Sequence, residues 1–240
     1  MKFLKKYGIA LAGLFIGLGL CVLGISLNHA VKTFKNSERI VSVKGLAEKE
    51  VLADRVIWPI VYKITGSELP QMYTNIETKN NQILAFLQNK GIDASEVHIA
   101  SPEVQDRQAE LYGGPQVSNM PRYNAISALI VSSSKVELIQ SLMRQQADLL
   151  KQGIAITTSD YRYQTQYIYT QLNKIKPMMI EEATKNARLV ANQFAIDAQS
   201  KLGKIKAANQ GQFSITNRDE NTPQIKSIRV VSTVDFYLKD

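Results

Sequence analysis

Residues 56–91 read VIWPIVYKITGSELPQMYTNIETKNNQILAFLQNKG, and within them the spacing of the apolar side chains changes. Val56, Trp58, Ile60, Tyr62 and Ile64 recur every second residue, which puts them on one face of a strand. From Ser67 to Lys90 the spacing lengthens, and Leu69, Met72, Ile76, Ile83 and Leu87 fall near one stripe of a helix. Ser67 is placed to cap that helix and Gly91 to end it. Pro59 has no N–H to donate, so the strand is expected at a sheet edge or with a bulge there.

The same reading extends in both directions. Residues 40–46 (IVSVKGL) alternate as a strand. Downstream come a short strand at Glu96–Ala100, a Gly-, Pro-, Asn- and Gln-rich loop at 106–121, and a strand at Arg122–Ser132. Ser134-Lys135-Val136-Glu137 matches a capping box at the head of a helix whose apolar face is Leu138, Leu142, Leu149 and Leu150, stopped by Gly153. Ile154–Ile156 starts a strand that continues toward Tyr163. Pro177 suits the first turn of a helix running to about Ser200, with Ile180, Ala183, Ala187, Val190, Phe194 and Ala198 at steps of three and four. The many alanines let another element pack closely, and Leu202 and Gly203 end the helix. Strands at Lys204–Ile215 and Ile225–Leu238, joined by a polar turn at 216–223, close the chain. Strands and helices mix without a regular βαβ period, so the expected class is α+β, an antiparallel or mixed sheet with packed helices over residues 40–240. The pieces around 56–132 and 154–238 are candidates for related halves, although the sequence carries no clear repeat.

The N-terminus is of another kind. No charged residue occurs from Tyr7 to Val31, and the solidly apolar part, Tyr7–Leu27, is 21 residues long. As a helix it spans about 30 Å, the thickness of a bilayer's hydrocarbon core. Residues 1–31 are read as a signal-anchor helix contacting lipid through Tyr7, Leu11, Leu14, Leu18, Val22 and Leu27, and residues 32–39 as a polar linker. The alternative is a signal peptide cleaved near Gly24-Ile25-Ser26, which would leave a secreted or periplasmic body; the apolar run is longer than the usual signal core. Leu20 before Cys21 argues against a lipoprotein signal. Lys2, Lys5 and Lys6 before the span, against the more widely spread Lys32, Lys35 and Arg39 after it, favour a cytoplasmic N-terminus. Residues 40–240 would then be periplasmic, on a single-pass protein of a bacterial inner membrane. Gly13 and Gly17 form a GxxxG pair through which two such helices could touch.

Charge and chemistry exclude several functions. The net charge is +8, but residues 1–35 hold five lysines and no acid, while the remaining 205 residues hold 24 basic and 21 acidic side chains. The excess belongs to the flanks of the apolar run, so nucleic acid is not an expected partner. The single cysteine, Cys21, lies in that run and permits no internal disulfide. His29 and His98 have no neighbouring ligands at metal spacing, no serine sits in a G-x-S-x-G turn, and Gly113-Gly114 is a turn and not a phosphate loop. Glu181 and Glu182 are adjacent on a helix and face apart. Catalytic, cofactor and metal residues are therefore expected to be absent. Tyr161, Tyr163, Tyr167 and Tyr169, at odd spacing, would share one strand face. That face would be either an interaction surface or an ordinary half-buried sheet face.

Val41-Ser42-Val43-Lys44-Gly45-Leu46-Ala47 with Asp54, Ile175-Lys176-Pro177, Glu182-Ala183-Thr184-Lys185-Asn186-Ala187-Arg188, Ser200-Lys201-Leu202-Gly203-Lys204-Ile205 and the closing strand Ile228–Val234 carry a resemblance over about residues 40–240. In them the chain resembles the SIMPL-domain family of bacterial periplasmic and membrane-associated proteins of unknown function. Ala53 stands where the family usually has proline before Asp54, a departure at the local turn. The resemblance implies an α+β domain outside the cytoplasmic membrane. Some family members are described as stress-protective, some as surface antigens and at least one as building a ring- or channel-like oligomer; no active site transfers. The expectation is a non-enzymatic, membrane-anchored envelope protein that forms a homo-oligomer or binds an envelope partner. The competing expectation is a small-ligand binder or enzyme with a pocket between sheet and helices, for which Asp54, Arg55, Asp160 and Arg162 are the polar candidates.

Overall fold

The computed structural model describes residues 2–36, 39–110, 120–157 and 161–239. In chain order the elements are α1 (Lys2–Asn36), β1 (Ile40–Leu52), β2 (Arg55–Gly66), α2 (Leu69–Asn89), β3 (Val97–Ile99), β4 (Glu103–Asp106), α3 (Arg107–Glu110), β5 (Tyr123–Ser133), α4 (Val136–Gln145), α5 (Ala147–Lys151), β6 (Gln166–Ile168), α6 (Leu172–Asp197), β7 (Lys201–Gln210), β8 (Ser214–Asn217) and β9 (Ile225–Lys239). The class is α+β with two antiparallel sheets. The chain divides into two compact units: Met1–Lys49 with Ile175–Ser214 and Arg229–Asp240, and Glu50–Lys174 with Ile215–Ile228. They are called the first and second unit.

The second unit is organised by β2. It pairs with β5 in unbroken register from Val56↔Ser133 to Gly66↔Tyr123, so Pro59 makes no bulge. On its other side β6 reaches only Arg55–Ile57, which leaves the flank at Pro59 outside that ladder. β3 and β4 follow one another along the far side of β5. β4 (EVQD) was not expected, because it shows no apolar alternation. Val56, Trp58, Ile60 and Tyr62 are buried, as their period requires, and pack with Ile83 and Leu87 of α2, Leu129 and Val131 of β5, and Ile139 and Leu142 of α4. α2 starts one turn residue later than expected, with Glu68 and not Ser67 at its cap, and Gly91 leaves it at φ +90°, a conformation costly for any other residue.

Ser134 does not cap α4. The cap position is Lys135, and Ser133 Oγ takes the Lys135 amide at 3.0 Å. The reciprocal capping contact forms instead at Asp93, whose amide donates to Glu96 Oε2 at 3.0 Å. The expected single helix after it breaks into α4 and α5, and Leu150 is exposed.

In the first unit the sheet runs β1-β9-β7. α6 packs on it through Met179, Ala183, Ala187, Ala191 and Ala195, all buried and four residues apart. The expected stripe ran through Val190 and Phe194, which are exposed; a strict step of four selects the alanines instead. Pro177 lies inside α6 and not in its first turn. The helix ends before Leu202: Gln199 takes φ +51°, Ser200 N donates to Ala195 O at 2.8 Å, and Gln199 N to Ile196 O at 2.9 Å, the left-handed exit that satisfies the last carbonyls.

Candidate functional site

Most of the stretches that carry the family resemblance lie in the first unit. Gly45 lies so close to α6 that a Cβ there would sit 1.8 Å from the Ala183 carbonyl oxygen and 2.5 Å from the Ala187 nitrogen. Both obstacles are backbone, so no rotamer change relieves them. Beside this contact Asn186 Nδ2 donates to the Leu46 carbonyl at 2.8 Å. Arg39 Nη2 donates to Ser200 Oγ at 3.0 Å, and Leu238 N to the Arg39 carbonyl at 2.9 Å. Val43, Ala187, Ala191, Val234 and Phe236 form the apolar cluster beneath. These residues hold a helix against a sheet.

α6 covers β1 and β9, and β7 is left open. From Lys204 to Gln210 every β7 residue is exposed, on both faces of the strand, and among the described residues no strand lies on its outer side. Sequence reasoning missed this strand as a surface feature; its signal was the lack of any two-residue apolar period in KAANQ.

In the second unit each described polar candidate has a partner of its own. The Asp54 carboxylate accepts the Thr170 amide at 2.9 and 3.1 Å and so ties down the chain after β6. Ala53 N donates to Gln224 O at 2.8 Å, a bond that a proline at this position could not make. Arg55 Nη1 reaches Ser132 Oγ at 3.4 Å, and Arg162 pairs with Glu103 at 2.6 Å. Asp160 lies outside the described residues, as do 111–119 of the expected loop. Of the tyrosines, Tyr161 is fully exposed, while Tyr163, Tyr167 and Tyr169 are half-buried. β6 is only three residues long, so the odd spacing does not run along one strand; Tyr167 packs on the core, its hydroxyl 3.8 Å from Met143 Sδ.

A cavity of about 590 Å³ opens where α4 begins, lined by Leu52, Ala53, Ser134–Leu138, Gln140 and Gln224. Its one cation, Lys135, is engaged: Nζ lies 2.9 Å from the Gly91 carbonyl, 3.0 Å from Glu96 and 3.3 Å from Asp93. Burial raises the Glu96 carboxyl, but the bonds from Ser133, the Asp93 amide and Lys135 outweigh it and hold it below the usual carboxylate range. Deeper in the unit, Tyr62 Oη lies 2.8 Å from Asn80 Oδ1, to which Ser127 Oγ also donates at 3.3 Å; burial pushes the phenol up. Among the described residues no group of three His, Cys, Asp or Glu side chains is placed to hold a metal ion. His98 is exposed on β3.

In α1, Gly13–Val31 is long and apolar enough to cross a membrane by length and composition, a test that an N-terminal signal sequence also passes. Leu14, Leu18, Val22 and Leu27 are exposed on it, and Gly13 and Gly17 face open space. The side chains of Tyr7 and Leu11 lie outside the described residues.

Residues 41–235 match the family profile SIMPL, described as "Protein of unknown function (DUF541)". The chain belongs to the SIMPL family. The match takes in parts of both units and does not include α1. No curated protein matches the chain. Within the matched residues, Gly45, Ala183, Asn186 and Ala187 join a helix to a sheet.

Proposed function

We propose that this SIMPL protein is tethered by α1 in a bacterial inner membrane, with residues 40–240 in the periplasm, and that it works by association and not by catalysis. The observation that carries the reading is β7, open at its outer edge and on both faces through Lys204–Gln210. An uncovered strand offers a row of backbone donors and acceptors to a second chain, and strand addition is a common mode of recognition. Lys204 and Lys206 on it are the usual guard against indiscriminate pairing, so the fitting occupant is a second copy or an envelope protein that brings acidic side chains. Gly13 and Gly17 supply a further contact if two tethers meet in the bilayer. The test is a photo-crosslinking residue in place of Ile205 in the full chain, in native membranes, with Glu77 on α2 as the comparison position. A single crosslinked species of defined mass from position 205 is expected. Equal, diffuse labelling from both positions overturns the reading.

The cavity beside Lys135 favours a second reading, a small-ligand site in the second unit. A saturable shift in the resonances of Val136–Gln140 with one class of metabolite would support it over the first.

A further inference from the structure

α6 is divided by charge. From Leu172 to Arg188 it carries lysines, glutamates and an arginine, whereas Leu189-Val190-Ala191-Asn192-Gln193-Phe194-Ala195-Ile196 has none. In these last two turns Ala191 and Ala195 are buried, but Leu189 is 70% exposed, Ile196 58% and Phe194 53%. These large apolar side chains before the terminal Asp197 are not needed for the packing of the first unit, which α6 achieves through Met179 and its alanines.

Their place in the fold suggests what covers them. α6 ends at Asp197, and β7 begins at Lys201, paired with Lys239 of β9. Leu238 is bonded to Arg39, and Arg39 to Ser200. The exposed end of α6 therefore lies at the same end of the first unit as Arg39, where the chain arrives from α1. Only residues 37–39 separate Asn36 from Ile40, a reach of about 14 Å at full extension. Among the described side chains at this end, Arg39, Lys201 and Lys239 outnumber Asp197.

We infer that the end of the first unit formed by the last two turns of α6 and the Arg39–Lys201–Lys239 corner rests on the lipid surface into which α1 inserts, with Leu189, Phe194 and Ile196 in the headgroup layer and the cations facing anionic lipid. This rests on the proposal that α1 is a tether. Apolar side chains ringed by lysine and arginine bind such a surface through buried area and attraction to anionic headgroups together. Held so, the first unit stands in one orientation over the bilayer, and the far end of β7 points away from it.

The experiment uses the full chain with Cys21→Ser, reconstituted into phosphatidylcholine vesicles with and without phosphatidylglycerol. A fluorophore is attached at Ile196→Cys or, as the comparison, at Asn209→Cys, which lies about 26 Å along β7 from Lys201. Quenching by a headgroup spin-labelled lipid is expected to be roughly twofold or more stronger at 196 than at 209, and to weaken without phosphatidylglycerol or in Lys201→Glu/Lys239→Glu. Equal, weak quenching at both positions in protein that still floats with the vesicles overturns the contact and leaves the tether standing. Protein that does not float overturns the tether, and this contact with it.

Discussion

The second unit fills its interior with Trp58, Tyr62, Ile83, Leu87, Leu129 and Leu142, whereas the first joins helix to sheet through Ala183, Ala187, Ala191 and Gly45. One gains stability from apolar area. The other gains it from close approach, where short side chains bring a helix backbone against a strand and the contacts are many and small. The difference teaches that the two should fail in opposite directions: the second unit when side chains are shortened, the first when they are lengthened.

The largest effect is expected from Gly45→Val. Its branched side chain meets the Ala183 carbonyl and the Ala187 nitrogen, neither of which can move alone, so a loss above about 4 kcal/mol is expected, with early hydrogen exchange in β1, α6 and β9. Leu87→Ala is the counterpart in the second unit and should cost about 2–5 kcal/mol by denaturant midpoint, while Gly91, a residue outside the core, keeps its turn. If Gly45→Val were tolerated and Leu87→Ala were not, the close-approach account of the first unit would be lost.

Two smaller effects sharpen the contrast. Lys226, on the inward face of β9 in the second unit, is nearly buried with Asn217 as its acceptor, and burial lowers its pKa. Its unfolded state binds the proton more readily, so stability should rise as pH climbs toward the ordinary lysine range. Lys226→Met should remove that slope and add up to about 1 kcal/mol at neutral pH. Ser232 Oγ in the first unit is buried and has no hydrogen-bond partner among the described residues. Ser232→Ala removes a desolvated hydroxyl without enlarging a side chain and should leave stability unchanged or raise it by about 0.5 kcal/mol, read as a thermal midpoint.

Much of the second unit was legible because its strands and helices show their periods in large side chains, from Val56 through Leu87. The first unit was harder to read. Alanine gives a weak apolar signal, so the stripe on α6 was assigned a phase that included Val190 and Phe194, whose exposure the local pattern does not reveal. The pairing of β1 with β9 joins residues near 40 to residues near 238, which no local period encodes. Ser134 looked like a cap, but the chain's turn placed Ser133 nearer the orphan amide. The tyrosine spacing was real in sequence and lost in the fold, because only Gln166–Ile168 there is strand. The open face of β7 left no sequence mark beyond a lack of pattern.

The proposed function turns on whether β7 is covered in the membrane. Hydrogen exchange of the Lys204–Gln210 amides tests this directly, comparing the full chain in native membranes with single copies dispersed in lipid discs. Slowing by about tenfold or more in native membranes is the expected result. Equal exchange in the two preparations would contradict association through this strand.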